Sequence, residues 1–560
     1  MKGNQIKDRL NRSSKGDWSD ELLALEAVGL AGEILSAAKK EEGLLERYEG
    51  WKLHRMLGDQ DGKVFAFEMA DQVFRPRSGW RAASQFRYLL ERRGVPLYLP
   101  LHERIALVLA ALASRIVPEW IMSAVTAKMM HESRKVVLRG EPGFLDRHIA
   151  KRGQMGARLN LNILGEAILG EEEASCRLVE NIKRLESSEC DYISVKISSI
   201  FSQVSVLAFE DTLEKVKEPL RTLYRAAQGN PVRGRSKFVN LDMEEYRDLH
   251  LTCRAFMEVL SEDEFFDLEA GIVLQAYLPD SFELQKSLTK WASLRRSRGG
   301  GRIKLRIVKG ANLAMEKVEA AAHGWEQAPY GCKNEVDANF KRMLHYACEK
   351  KRAHAVRVGV GSHNLFDVSY ALLLREREDV RGEVEIEMLE GMANHQARAV
   401  EKAGGSLLFY APVVLRENFH SAIAYLVRRL DENTAPQNFL HDLFGMRLGD
   451  EKWEEQKEKF LRACAMKDEV SALPTRKQNR RVVSRESAST AFCNEPDTDW
   501  TLGVNREWIE GIRHEAEIPE TIGIQVAGTV RYPSERQESH DPCKPDGSLY
   551  RFCLAGEKDV

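Results

Sequence analysis

Eight short runs rich in Val, Ile and Leu, separated mostly by intervals long enough for a helix, dominate the middle of this chain. They are ARLNLNIL (157–164), YISVKI (192–197), KFVNLD (237–242), GIVLQAYL (271–278), IKLRIV (303–308), VRVGVG (356–361), VEIEML (384–389) and SLLFYA (406–411). Parallel strands need a long crossover between them, and strands buried on both faces read as nearly continuous aliphatic runs. Eight such units in roughly 300 residues predict an α/β fold with a closed (β/α)8 barrel in preference to an open doubly wound sheet. No run is followed by GxGxxG or GxxxxGK[ST], so the usual warrant for a dinucleotide-binding βαβ unit or a P-loop is missing.

Around the barrel the pattern changes. In 21–40, Leu22, Leu25, Val28, Leu30, Ile34 and Leu35 fall at helical spacings, and further helical stretches near 63–73, 82–93 and 102–116 are broken at Pro96, Pro100 and Pro118. The expected organisation is a helical arm and α-domain (1–150), the barrel (151–465), a polar, basic linker (466–488) and a C-terminal segment (489–560).

Charge limits the choice of partner. Lys plus Arg number 83 against 85 Asp plus Glu, a net charge of -2, so no positive excess exists to displace phosphate counterions and nucleic acid is not expected as a ligand. At 43% hydrophobic and 30% charged residues, the composition is that of an ordinary globular protein. The longest apolar run, 105–113, covers nine residues, well short of the roughly 20 a spanning helix requires. No apolar stretch follows the basic N-terminal residues, so no secretory signal is read there. Nine cysteines without a CxxC spacing argue against a disulfide framework and for a reducing, cytoplasmic setting.

Chemistry in such barrels gathers at the C-terminal ends of the strands. Polar residues fall there in run after run: Glu166, Lys196, Asp242, Gln275 and Tyr277, Arg306 and Lys309, Ser362 and His363, Glu390, and Tyr410. Lys196, Arg306 and Lys309, with Arg428 and Arg429, concentrate positive charge suited to a carboxylate or phosphate. His363 has no companion at metal-ligand spacing, so no metal site is expected. GxSxG is absent and no cysteine has an evident His partner, which leaves an organic cofactor as the source of chemistry.

At these residues the sequence resembles the proline dehydrogenases, specifically the proline dehydrogenase portion of bacterial proline utilization A flavoproteins. The matching blocks are LNILGEAILGEEEA (161–174), YISVKISSI (192–200), FVNLDMEEY (238–246), VLQAYLPDS (273–281), RIVKGANL (306–313), GSHNLFDV (361–368), EMLEGMA (387–393), LFYAPV (408–413) and AYLVRRLDENT (424–434). They occur in family order, and the likeness extends over roughly 20–465. The resemblance implies a distorted (β/α)8 barrel that binds FAD noncovalently, with hydride passing from C5 of L-proline to flavin N5 and Δ1-pyrroline-5-carboxylate as product.

It also implies roles. Arg428, Arg429 and Lys196 would hold the proline carboxylate, with Glu166 pairing Arg428. Leu389, Tyr410 and Tyr425 would pack against the pyrrolidine ring, and Asp242 would support Lys196 and Tyr410. Arg306 would lie near N5 and Gln275 at the isoalloxazine edge, while Lys309, Lys333, Ser362, His363 and Asn364 would serve the ribityl, phosphate and adenine parts. The chain departs from the common pattern at Asn312, where many members carry tyrosine, and at Cys332, where threonine is usual. The family passes its electrons to a membrane quinone, which implies peripheral membrane contact at the inner face; a homo-oligomer is left open.

The segment 492–513 resembles the entry into the aldehyde dehydrogenase domain of the same bifunctional proteins. IGIQVAGTVRY and SLYRFCLAGEKDV resemble its opening strands. Neither a βαβ region nor a catalytic cysteine loop can be placed in the roughly 70 residues from 492 onward, so the expectation is an incomplete domain without aldehyde dehydrogenase activity. A small independent module is the other reading of these residues. Two other functional classes stay open: a catalytically silent flavin-binding remnant or interaction protein, and a phosphate-handling barrel enzyme without flavin.

Overall fold

The computed structural model describes residues 2–14, 18–76, 78–134, 136–165, 168, 170–229, 236–422, 425–426, 429, 438–443, 445–482, 494–515 and 520–559. The chain divides into two compact units, Met1–Arg476 and Lys477–Val560. The division falls inside the segment read as a linker.

In the first unit a two-residue strand, β1 (Leu138–Arg139), precedes eight longer ones: β2 (Arg158–Ile163), β3 (Tyr192–Lys196), β4 (Phe238–Asp242), β5 (Ala270–Gln275), β6 (Ile303–Val308), β7 (Val356–Gly361), β8 (Val384–Leu389) and β9 (Leu407–Val414). Strands β2 to β9 pair in sequence order, and β9 returns to pair with β2, closing an eight-stranded barrel; β1 pairs with the end of β9. All these pairings are parallel. The eight predicted runs are the eight barrel strands, displaced by at most a few residues at their ends.

The strands alternate in character. Leu159, Leu161, Ile193, Val195, Val239, Leu241, Leu305 and Ile307 belong to one large apolar core. Residues that alternate with them are polar and buried: Asn160, Asn162, Ser194, Asn240, Asp242, Lys304, Arg306, Glu385 and Glu387. These bond to one another. Asn160 donates to Ser194 at 2.9 Å, and Lys304 Nζ lies 2.6 Å from Glu385 and 2.7 Å from Glu387. Lys304 and Glu387 stand on β6 and β8, so they meet across β7. Gly359 of β7 makes that possible, since a Cβ there would lie 2.1 Å from Glu387 Oε1.

Helix Asp20–Glu41, capped by the Ser19 hydroxyl, buries Leu23, Ala27, Leu30 and Ile34 in the barrel's own apolar core. Phe65, Met69, Ala83, Phe86, Leu89 and Met122 form a separate small core in the α-domain. Pro118 occupies the first turn of helix Pro118–Ser133, where its missing N–H costs no hydrogen bond. No helix among the described residues is long and apolar enough to cross a membrane.

The second unit contains helix Gly503–Glu515 and short strands. Strands β10 (Thr521–Ile522) and β13 (Arg536–Asp541) flank β14 (Lys544–Cys553), and β11 (Ile524–Val526) forms a hairpin with β12 (Thr529–Arg531). The hairpin turns on Ala527 and Gly528, both at positive φ.

Candidate functional site

The mouth of the barrel collects polar groups from the C-terminal ends of its strands. Asp242, last residue of β4, is buried beneath them. Its Oδ2 accepts from Tyr410 Oη at 2.9 Å and Asn162 Nδ2 at 3.4 Å, and its Oδ1 accepts from Asn240 Nδ2 at 3.0 Å and Arg306 Nη1 at 3.5 Å. Burial pushes the Asp242 carboxyl up, against the pull of Arg306, Tyr410 and Lys196. Burial, reinforced by Asp242, holds the Tyr410 hydroxyl far above its ordinary value, so Tyr410 remains a donor.

Arg306 connects this group to the barrel interior. Its Nε is 2.9 Å from Glu387, and its guanidinium lies 4.5 Å from the Tyr410 ring centroid. Burial works against its charge, yet Glu387 and Asp242 raise its pKa. Lys196, at the end of β3, pairs with Glu244 at 2.7 Å. Gln275 is buried and donates to the Glu244 carbonyl at 3.0 Å. Asn312 donates to the same carbonyl at 3.2 Å.

A second cluster follows β6 and β7. Lys309 lies 2.5 Å from Asp337 and 2.7 Å from Asp367; Lys333 is 2.7 Å from Asp337, and Lys341 is 2.6 Å from Asp367. Asp337 is buried, which opposes ionisation, but the three lysines hold its carboxyl well below the usual range. Burial and the neighbouring Lys309 ammonium pull Lys333 down to about 8. Three ammonium groups against two carboxylates leave a surplus positive charge suited to a phosphate. Ser362 donates to Asp367 at 3.4 Å, and Asn364 caps helix Leu365–Arg377.

His363 follows Ser362 just beyond β7. Its Nε2 accepts from the Leu389 N–H at 2.8 Å, while Nδ1 is buried with no hydrogen-bond partner among the described residues. Burial and Arg429 lower its pKa to about 4, so the neutral ring carries its proton on Nδ1. A buried donor of this kind is normally met by a protein, water or ligand acceptor. Arg429 stacks 4.8 Å from the Tyr425 ring centroid, and Tyr425 itself is buried. Glu166 and Arg428 lie outside the described residues.

Residues 145–442 match the family model for proline dehydrogenase. The chain belongs to the proline dehydrogenase family. Its barrel is the enzyme fold of that family, and L-proline oxidation is the family's reaction. A solved proline utilization A from Corynebacterium freiburgense shares 41% identity, with a TM-score of 0.60 over 69% of this chain and 37% of that one. The proline utilization A of Bdellovibrio bacteriovorus inactivated by N-propargylglycine shares 25% identity, with a TM-score of 0.72 over 94% of this chain and 53% of its own. Bifunctional protein PutA of Rhizobium meliloti is 30% identical over 217 residues, 36% of this chain and 16% of the relative. The chain thus spans about half or less of the proteins it matches.

Within the family frame, the structure brings Lys196, Asp242, Gln275, Arg306 and Tyr410 to one mouth and Lys309, Lys333 and Ser362 to the adjoining cluster. Lys196 pairs with Glu244, and Asp242 accepts from Tyr410, Asn162, Asn240 and Arg306. Sequence reasoning passed over Glu244, Asp337, Asp367 and Glu387, the acids that hold these cations. Lys333 and Asp337 were legible as an i,i+4 pair; Glu244 gave no comparable signal. Among the described residues no group of three or more His, Cys, Asp or Glu side chains is arranged to hold a metal ion.

Proposed function

We propose that this chain is an FAD-dependent proline dehydrogenase that converts L-proline to Δ1-pyrroline-5-carboxylate. The observation that carries the reading is the buried Tyr410–Asp242–Arg306 group at the barrel mouth, with Lys196 beside it and a lysine-rich cluster next to it. Together they offer one site for a carboxylate and another for a phosphate. The residues present fit a flavin dinucleotide: the surplus charge of the Lys309, Lys333 and Lys341 cluster suits its pyrophosphate, and His363 Nδ1 has a hydrogen to give.

Lys196 and Arg429 would bind the proline carboxylate, with Arg428 as the second guanidinium and Glu166 as its partner. Leu389, Tyr410 and Tyr425 would wall the pyrrolidine ring and exclude bulkier amino acids. Asp242 fixes Tyr410 by accepting a hydrogen bond from its hydroxyl, so that wall is rigid. Arg306 would face flavin N5 and Gln275 the isoalloxazine edge, while Lys309, Lys333, Ser362, His363 and Asn364 would hold the remainder. FAD, when bound, supplies the acceptor for the hydride leaving C5. The substrate amine must be neutral at that moment, which bulk solvent can arrange without a dedicated base. Reducing equivalents would pass to a membrane quinone through peripheral contact.

The test is spectroscopic. Purified protein should carry a flavin absorption band that bleaches when L-proline is added without oxygen. N-propargylglycine, with which the Bdellovibrio protein was inactivated, should abolish turnover irreversibly. Protein that cannot be reconstituted with FAD ends this reading, and flavin that fails to bleach favours a silent remnant.

A further inference from the structure

We propose that Glu244 is a positioning residue for Lys196: it holds the ammonium at the barrel mouth in the place where a substrate carboxylate meets it. The proposal rests on the functional reading above and assigns a residue that reading leaves without a role.

Glu244 lies two residues beyond the end of β4, and its backbone is pinned from several directions. Its carbonyl accepts from Gln275 Nε2 at 3.0 Å, Asn312 Nδ2 at 3.2 Å and Tyr277 Oη at 3.3 Å. Two residues on, the Tyr246 N–H donates to Glu316 Oε1 at 2.8 Å. These anchors come from β5 and from segments after β5 and β6, and none involves Lys196. The carboxylate of Glu244 therefore projects from a frame that Lys196 does not set.

Lys196 is the adjustable partner. Its ammonium ends a flexible four-carbon stem and reaches Glu244 at 2.7 Å with side-chain exposures of 24% and 34%. A pair this open contributes little to stability, so its consequence is geometric. Asp242, which ends β4, already accepts from Tyr410, Asn162, Asn240 and Arg306. An ammonium has three donors; one directed to Glu244 leaves two for an incoming carboxylate. The same residue that fixes this cation also receives the Gln275 amide, so the substrate-side and cofactor-side groups share one anchor.

The test compares Glu244→Gln, Glu244→Asp, Lys196→Met and the Glu244→Gln/Lys196→Met double variant by KM, kcat and flavin content. Because the freed lysine must be ordered anew on each binding event, Glu244→Gln should raise KM for L-proline by roughly 5- to 10-fold. Flavin content should hold and kcat should change by less than about 2-fold, since lost ground-state binding moves KM alone. Glu244→Asp should fall between wild type and Glu244→Gln. In the Lys196→Met background, Glu244→Gln should add nothing, because contacting residues that act as a unit are not additive. An unchanged or lowered KM in Glu244→Gln overturns the proposal, as does a further KM rise in the double variant. Should Glu244→Gln fail to fold or shed its flavin, Glu244→Asp decides: a raised KM with flavin intact supports the role, and a wild-type KM overturns it. Wild-type protein that neither retains flavin nor oxidises L-proline sinks the functional reading itself, and this proposal with it.

Discussion

Tyr410 on β9 donates its hydroxyl to Asp242 on β4 at 2.9 Å, although β4 and β9 are not neighbours in the barrel. The bond spans the mouth above β2 and β3. With the Arg306 guanidinium against the face of the same ring, it fixes the position of an aromatic wall that a loop alone would leave free to move.

Removing that hydroxyl while keeping the ring tests the bond directly. Tyr410→Phe should cost about 1–2 kcal/mol of stability, because a buried carboxylate loses a donor while three others remain. The Asp242 carboxyl should rise further, since the lost hydrogen bond favours its charged form. Denaturant titration of the variant against wild type measures the first effect; equal midpoints and slopes would show that the bond contributes nothing.

Deeper in the barrel, Lys304 faces Glu385 and Glu387 with almost no solvent contact. Lys304→Met should destabilise by about 3–5 kcal/mol, because two buried carboxylates lose their shared cation. Adding Glu387→Gln should recover part of the loss by removing one of those charges. If the double variant is no more stable than Lys304→Met, Glu387 is not held by Lys304.

Much of this was open to reading in the sequence. The eight strands are legible because barrel strands carry aliphatic residues wherever they meet the surrounding helices. The polar interior is legible too, once period two is applied: Lys304 and Arg306 share one face of β6, and Glu385 and Glu387 share one face of β8. That the two faces meet is not legible, since it depends on closure of the barrel and on Gly359 leaving room between them. Glu244 escaped for a different reason. Its carboxylate is placed by a backbone carbonyl that three side chains from distant segments find only after folding, and a carbonyl has no residue identity to read.

Arg429 stacks on Tyr425 beside His363, where a guanidinium can reach a bound carboxylate. Arg429→Met should weaken L-proline binding by about 1.5–3 kcal/mol through loss of a charge-assisted contact. Flavin content should stay near wild type. Kinetics across a proline series would detect the effect as a raised KM, and an unchanged proline affinity would refute the role.

Lys333 provides a pH signature for the cofactor site. Its ammonium is pulled down to about 8 by burial and by Lys309, below the unfolded value of about 10.4. In protein without flavin, the unfolded chain therefore binds more protons between about pH 8 and pH 10, so Lys333 makes stability rise with pH across that window. A bound phosphate reverses the preference by favouring the charged lysine. Flavin affinity should consequently fall as pH rises through about 8. The Lys333 side chain is 35% exposed, and solvent screening limits the change to about 1 kcal/mol, or roughly 5-fold in Kd. Flavin retention after dialysis at pH 7 and pH 9.5 measures it. Lys333→Met should bind flavin more weakly at pH 7 and lose this pH dependence, so parallel pH curves for variant and wild type would remove Lys333 from the site.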